Sequence, residues 1–130
     1  MKKYDLETVS NWHEALNTKN KQILASLVTK NVGMSGPKGH VEGVDIMLDW
    51  VGRANIALEP ISYFQFRGTV VVEECATWYN IETGAKIGSA LVATVFILAN
   101  GFITTIKRYD NLSEALQAAR LTEKHRVDYK

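Results

Sequence analysis

The chain has 130 residues, of which 46% are hydrophobic and 22% charged; that is enough for one domain with a buried core and too little for two. Fifteen basic and fourteen acidic side chains leave a formal charge of +1, and no basic stripe runs along the chain, which argues against a nucleic-acid footprint. The longest apolar run, Leu91 to Ala99, is too short for a helical membrane span and is interrupted by Thr94.

Asp5 is a plausible N-cap, and Val9, Trp12, His13 and Leu16 recur behind it at helical spacing. Asn17 to Asn20 is polar and ends that pattern. Ile23, Leu24, Leu27 and Val28 form the stripe of a second, short helix. Asn31 to Gly43 carries four glycines and Pro37, and reads as irregular chain with room for one short strand near Val32 to Ser35. A third helix is expected from Gly43, where Val44, Met47, Leu48 and Val51 give the i, i+3, i+4, i+7 spacing.

From Ile56 the period changes to two. Ile61–Arg67, Thr69–Ile81, Ile87–Ala99 and Phe102–Tyr109 read as four strands rich in Val, Ile, Thr, Tyr, Phe and Trp. Their links, at Arg67-Gly68, Glu82-Thr83-Gly84-Ala85 and Asn100-Gly101, are short and glycine-bearing, so neighbouring strands should be antiparallel hairpins. Ser113 is the expected cap of a last short helical turn holding Leu116. The segment 121–130 is mostly polar, has no periodicity and is expected to fray.

Three helices followed by an antiparallel meander make an α+β domain. The strand around Leu91 to Leu98 is apolar on both faces, which a half-solvated antiparallel strand would not be. With no further helix in view to cover the second face, a homodimer packed through the sheet is expected. Lys2 and Lys3 have no apolar run behind them, against a secretory signal, and the single Cys75 has no internal disulfide partner. A cytoplasmic protein is the expectation.

Three stretches, Trp12-His13-Glu14-Ala15-Leu16-Asn17, the Gly36-Pro37-Lys38-Gly39 loop leading to Gly43, and Asn100-Gly101-Phe102-Ile103 through Lys107-Arg108-Tyr109-Asp110, resemble SnoaL-like domains. These belong to the nuclear-transport-factor-2-like superfamily, with ketosteroid isomerase, scytalone dehydratase and limonene epoxide hydrolase. The similarity of element order covers roughly residues 5 to 120. It implies a cone in which a curved sheet wraps three N-terminal helices and leaves an apolar pocket at the wide end. The resemblance does not bring the family's chemistries with it. The isomerase's aspartate base corresponds to Met34-Ser35-Gly36-Pro37, its tyrosine to Trp12 and its protonated aspartate to Thr94. The hydrolase's Arg-Asp pair corresponds to Lys107-Arg108, which offers no carboxylate base there. The dehydratase's pair of pocket histidines has no evident counterpart beyond His13 and His40.

With Thr94 on the pocket side, as the resemblance suggests, Val92 and Phe96 share its face, and Thr104, Ile106 and Arg108 align on the last strand. On the strand before, Val70, Val72, Glu74, Ala76 and Trp78 form the more apolar, inward set. The expected pocket therefore has Trp12, Trp50 and Trp78 as aromatic walls, Val92, Phe96 and Ile106 as apolar lining, Thr94 as a hydrogen-bonding handle and His40 at its mouth. Glu74 and Arg108 are the candidate charged pair, able to act as acid or base or to stand as a buried ion pair. His13 reads as a satisfied residue at the edge of the helix stripe, and Cys75 as a small buried side chain. Neither metal-ligand spacing nor a phosphate-binding loop is present, so no metal or cofactor is expected. The functional expectation is a pocket for a small apolar or aromatic molecule. The alternative is a lyase, isomerase or cyclase using acid–base chemistry in the same pocket.

Overall fold

The computed structural model describes residues 3–36 and 39–129; of the loop Gly36-Pro37-Lys38-Gly39, residues 37 and 38 lie outside the described residues. Among the described residues the helices are α1 (Lys3–Asn17), α2 (Lys21–Leu27), α3 (Val44–Ala54) and α4 (Leu112–Ala119). The strands are β1 (Val28–Gly36), β2 (Gly39–Glu42), β3 (Ile56–Phe66), β4 (Thr69–Tyr79), β5 (Lys86–Ala99), β6 (Phe102–Tyr109) and β7 (Arg126–Val127). They form one curved sheet in the order β2-β1-β6-β5-β4-β3-β7. The α+β expectation holds.

Local chemistry explains most boundaries. α1 ends where Lys19 turns left-handed at φ 56°, which lets the Lys19 and Asn20 amides donate to the Leu16 and Ala15 carbonyls. Asn20 then caps α2 by accepting from the Ile23 amide at 3.2 Å. The hairpin turns Arg67-Gly68 and Asn100-Gly101 have positive φ at both residues, from 48° to 84°, the twist that two-residue hairpins require. Asp5 lies inside the first turn of α1 rather than capping it. At α4 the cap is Asn111, whose side chain accepts from the Glu114 amide at 2.9 Å, and not Ser113.

The glycine-rich segment is more regular than its composition suggests: β1 and β2 pair as a hairpin from Gly33↔Glu42 to Gly36↔Gly39. β1 also runs parallel to β6, with Met34 beside Ile106, so the sheet is not wholly antiparallel. No short turn links these two strands, and nothing local dictates their direction. β3 begins at Ile56, ahead of the expected Ile61, because a register shift between Pro60 and Ser62 carries the proline through. After Leu121 the described residues include further secondary structure. A single 3-10 turn at Glu123–His125 leads into β7, which pairs Val127 with Tyr63 and Arg126 with Phe64; the Arg126 guanidinium sits 4.7 Å from the Phe64 ring centre.

Two clusters sit on opposite faces of the sheet. The larger packs Val9, Trp12, Leu16, Leu24, Met47 and Val51 of the helices against Val70, Val72, Ala76 and Phe96. The smaller packs Ala115 and Leu121 against Phe64, Val71, Ala93 and Val95. Part of the second face of β5 is therefore covered by the chain's own α4, which removes the reason given above for a partner subunit over Ala93 and Val95. Leu91, beyond the reach of α4, is 57% exposed. No helix among the described residues is long and apolar enough to cross a membrane.

Candidate functional site

Alternation along the central strands decides what faces the helices. In β4, Val70, Val72, Glu74 and Ala76 are all fully buried on the helix side. Register carries that face across β5 and β6: Val72 pairs with Thr94, Thr94 with Arg108, and Phe96 with Ile106. α1 lays Trp12 and His13 over it, and α3 adds Trp50. Between them lies a cavity of about 450 Å³ lined by Trp12, Met34, Ser35, Gly36, Gly39, His40, Val41, Trp50, Leu58, Thr94, Ile106 and Arg108. The walls are apolar apart from Ser35, His40, Thr94 and Arg108.

Behind this wall His13, Glu74 and Thr94 form a closed polar chain. His13 Nδ1 lies 2.8 Å from the Val9 carbonyl oxygen, and its Nε2 lies 2.5 Å from Glu74 Oε2. Thr94 Oγ1 lies 2.7 Å from Glu74 Oε1. A carbonyl can only accept, so Nδ1 carries a proton. One further proton then lies between Nε2 and Oε2, and the pair is neutral as a unit whichever atom holds it. Glu74 Oε1 is left as an acceptor, and the Thr94 hydroxyl donates to it. Aromatic edges pack around this chain, with Trp12, His13 and Phe96 ring centres 5.2 to 5.4 Å apart. The Trp12 indole Nε1 has no partner, the one such buried side-chain atom among the described residues. Buried donors left unpaired are costly and call for a functional or packing reason.

The residues singled out from sequence do not all meet at the cavity. Trp12, His40, Trp50, Thr94, Ile106 and Arg108 all line the cavity. Val92 and Phe96 are buried in the core beside it and are not among its lining residues. Trp78 lines a different depression, with Tyr79, Ile81 and Ile87. Glu74 and Arg108 do not form the anticipated pair: Glu74 is sealed by His13 and Thr94, and Arg108 makes no ion pair among the described residues. Their strands are not adjacent, since β5 separates β4 from β6. Cys75, on the other face of β4 from Glu74, is half-buried.

His40 lines the cavity and is also held by its own hairpin. Its ring bonds Ser35 Oγ at 2.6 Å and Glu42 at 3.2 Å. The hairpin register puts Ser35, His40 and Glu42 on the face opposite Met34 and Val41. Gly33 makes room for this ring, since a Cβ there would stand 3.1 Å from His40 Cε1. Sequence reasoning missed His13 as the partner of Glu74. The sequence shows only that each of these ionisable residues lies inside an apolar stripe, where burial calls for a partner; with 61 residues between them, it does not say that the partner is the other.

No protein-family profile and no curated protein sequence matches the chain. Solved structures do. A nuclear-transport-factor-2-like protein of unknown function from Cytophaga hutchinsonii superposes with a TM-score of 0.71 at 20% identity, over 86% of this chain and 94% of that one. A protein from Catenulispora acidiphila with a ketosteroid isomerase-like fold, solved in complex with trimethylamine, gives 0.69 at 19% identity, over 89% and 94%. A candidate SnoaL-like polyketide cyclase from Jannaschia gives 0.72 at 14% identity, over 88% and 90%. The chain thus has the fold of nuclear-transport-factor-2-like proteins. At these identities the likeness extends to the fold alone.

Proposed function

We propose that the protein binds a small apolar or aromatic molecule in the cavity between α1, α3 and the sheet. The observation that carries this reading is the cavity itself. At about 450 Å³ it lies within the range of ligand pockets, and it joins tryptophan and aliphatic walls to very few polar groups. The trimethylamine complex of the Catenulispora protein is a precedent for a small organic molecule on this fold. Binding is favoured over catalysis because the carboxylate on the inner face of β4, Glu74, has both oxygens engaged within the protein.

Thermal unfolding against a panel of mono- and bicyclic ring compounds tests the proposal. At a concentration 100-fold above Kd a true ligand stabilises the fold by about 2.7 kcal/mol. Trp50→Ala should remove most of that gain, and a panel that leaves the midpoint unmoved would sink the reading.

A second reading, a lyase, isomerase or cyclase, draws on one observation. Thr94 touches both the cavity and Glu74, so a proton could pass between the sealed pair and a bound molecule. A ligand recovered chemically altered, with turnover abolished in a folded Glu74→Gln variant, would replace the binding reading with this one.

A further inference from the structure

The polar groups on the cavity wall restrict what the ligand can be. Arg108 is a permanent cation with five donors and no acceptor. Among the described residues it has no ion-pair or hydrogen-bond partner, and it lines a cavity whose other walls are mostly apolar, with Ser35, His40 and Thr94 as the further polar side chains. The buried carboxylate of Glu74 does not offset it, because it is already neutralised as a unit with His13. Thr94 is the cross-strand neighbour of Arg108, and its single hydroxyl proton is committed to Glu74 Oε1 at 2.7 Å. Toward the cavity Thr94 therefore presents lone pairs only. Cross-strand neighbours on one face have their Cβ atoms about 5 Å apart, so a positive donor and a neutral acceptor share one wall of the cavity.

We propose that the cavity selects a ring compound bearing an anionic oxygen, held by Arg108, and a separate hydroxyl group that donates to Thr94. This rests on the ligand-binding reading and narrows it. A charge-assisted bond to a guanidinium in an apolar pocket is stronger than a neutral one, so the anion sets most of the affinity. The hydroxyl contributes selectivity, since a compound with only acceptors at that position meets the lone pairs of Thr94 with its own. Glu74 and His13 act here as positioning residues: by taking the Thr94 proton they fix which way the hydroxyl points.

Isothermal titration with 2-naphthoate, 2-naphthol, and 4- and 6-hydroxy-2-naphthoate separates the terms. In these hydroxy acids the hydroxyl is too far from the carboxylate to bond it internally. The expected order places 2-naphthoate at least about tenfold tighter than 2-naphthol, and the better hydroxy acid about fivefold tighter still. Arg108→Met should bring 2-naphthoate down to the level of 2-naphthol. Thr94→Val should erase the advantage of the hydroxy acid alone, whereas Thr94→Ser, which keeps the hydroxyl and guards against loss of folding, should retain it. Equal binding of 2-naphthol and 2-naphthoate, or indifference to Arg108→Met, overturns the anion assignment while leaving ring binding intact. Hydroxy acids no tighter than the parent acid overturn the role given to Thr94. Failure of all four compounds to bind overturns this proposal together with the reading beneath it.

Discussion

Two histidine–glutamate pairs occupy opposite extremes of the molecule. His13 and Glu74 meet in the core with side chains 2% and 0% exposed; His40 and Glu42 meet on the rim hairpin at 49% and 67%. The chemistry of the two contacts is nearly the same, and each histidine has a second partner, the Val9 carbonyl in the core and Ser35 on the hairpin. What differs is the alternative available to each group. On the rim, water replaces any lost partner. In the core nothing does, so a broken pair leaves a polar group without solvent or bond.

Glu74→Ala is the largest expected effect. It strips His13 Nε2 and Thr94 of their partner and opens a cavity, and breaking a buried pair from one side costs about 3–5 kcal/mol. Urea unfolding should show a midpoint far below that of the parent with little change of slope. Replacing both members, as His13→Leu with Glu74→Met, should recover much of the loss, because two apolar side chains leave nothing unpaired. If Glu74→Ala cost no more than the matching change on the rim, burial would not be what separates the two pairs.

Tyr63 sharpens the comparison from an intermediate position, on the strand next to Glu74. Burial is the main cause that raises its phenol above the ordinary value of 10.0; a hydrogen bond from Ser10 acts the other way, and Tyr129, Glu74 and Glu59 add to the rise. A raised folded value means that the folded state favours the neutral phenol. The stability this supplies is complete below the unfolded value and is lost as pH climbs through the folded one. Tyr63→Phe should cost about 1 kcal/mol at neutral pH through the lost Ser10 bond. It should also flatten the fall in stability above pH 10.0. Denaturation at neutral and strongly alkaline pH checks both, and an unchanged alkaline slope would remove Tyr63 as its source.

The contrast between the pairs also marks what could be read from residues alone. The stripes of α1 and α3 and the hairpins of the meander were legible, because their periods and turn glycines act over a few residues. The inward face of β4 was legible too, since Val70, Val72, Glu74 and Ala76 are the more apolar set. What was not legible depends on distance along the chain. His13 and Glu74 are 61 residues apart, and β1 meets β6 without any local turn to announce it. The expected Glu74–Arg108 pair followed from two inward parities and from ignoring the strand between them. The apolar positions of α4 are few enough to predict only a single turn, yet Ala115 and the following Leu121 cover Ala93 and Val95 on the outer face of β5.

The smallest effect is expected at the rim. Glu42→Gln removes the charge of an exposed pair whose two side chains are already solvated, and such pairs are worth about 0–1 kcal/mol. Its 3.2 Å contact is also the longer of the two that His40 makes, so the ring should stay on Ser35. Stability should therefore move by less than about 0.5 kcal/mol, and any change should vanish at high salt, where exposed charges are screened. The informative control is Gly33→Ala, whose methyl would stand 3.1 Å from His40 Cε1. It should displace the ring without touching either carboxylate, visible as a shift of the His40 imidazole resonances, while the His13 resonances stay fixed. Movement of both sets would mean that rim and core are coupled through β1, and the two pairs could no longer be treated as independent.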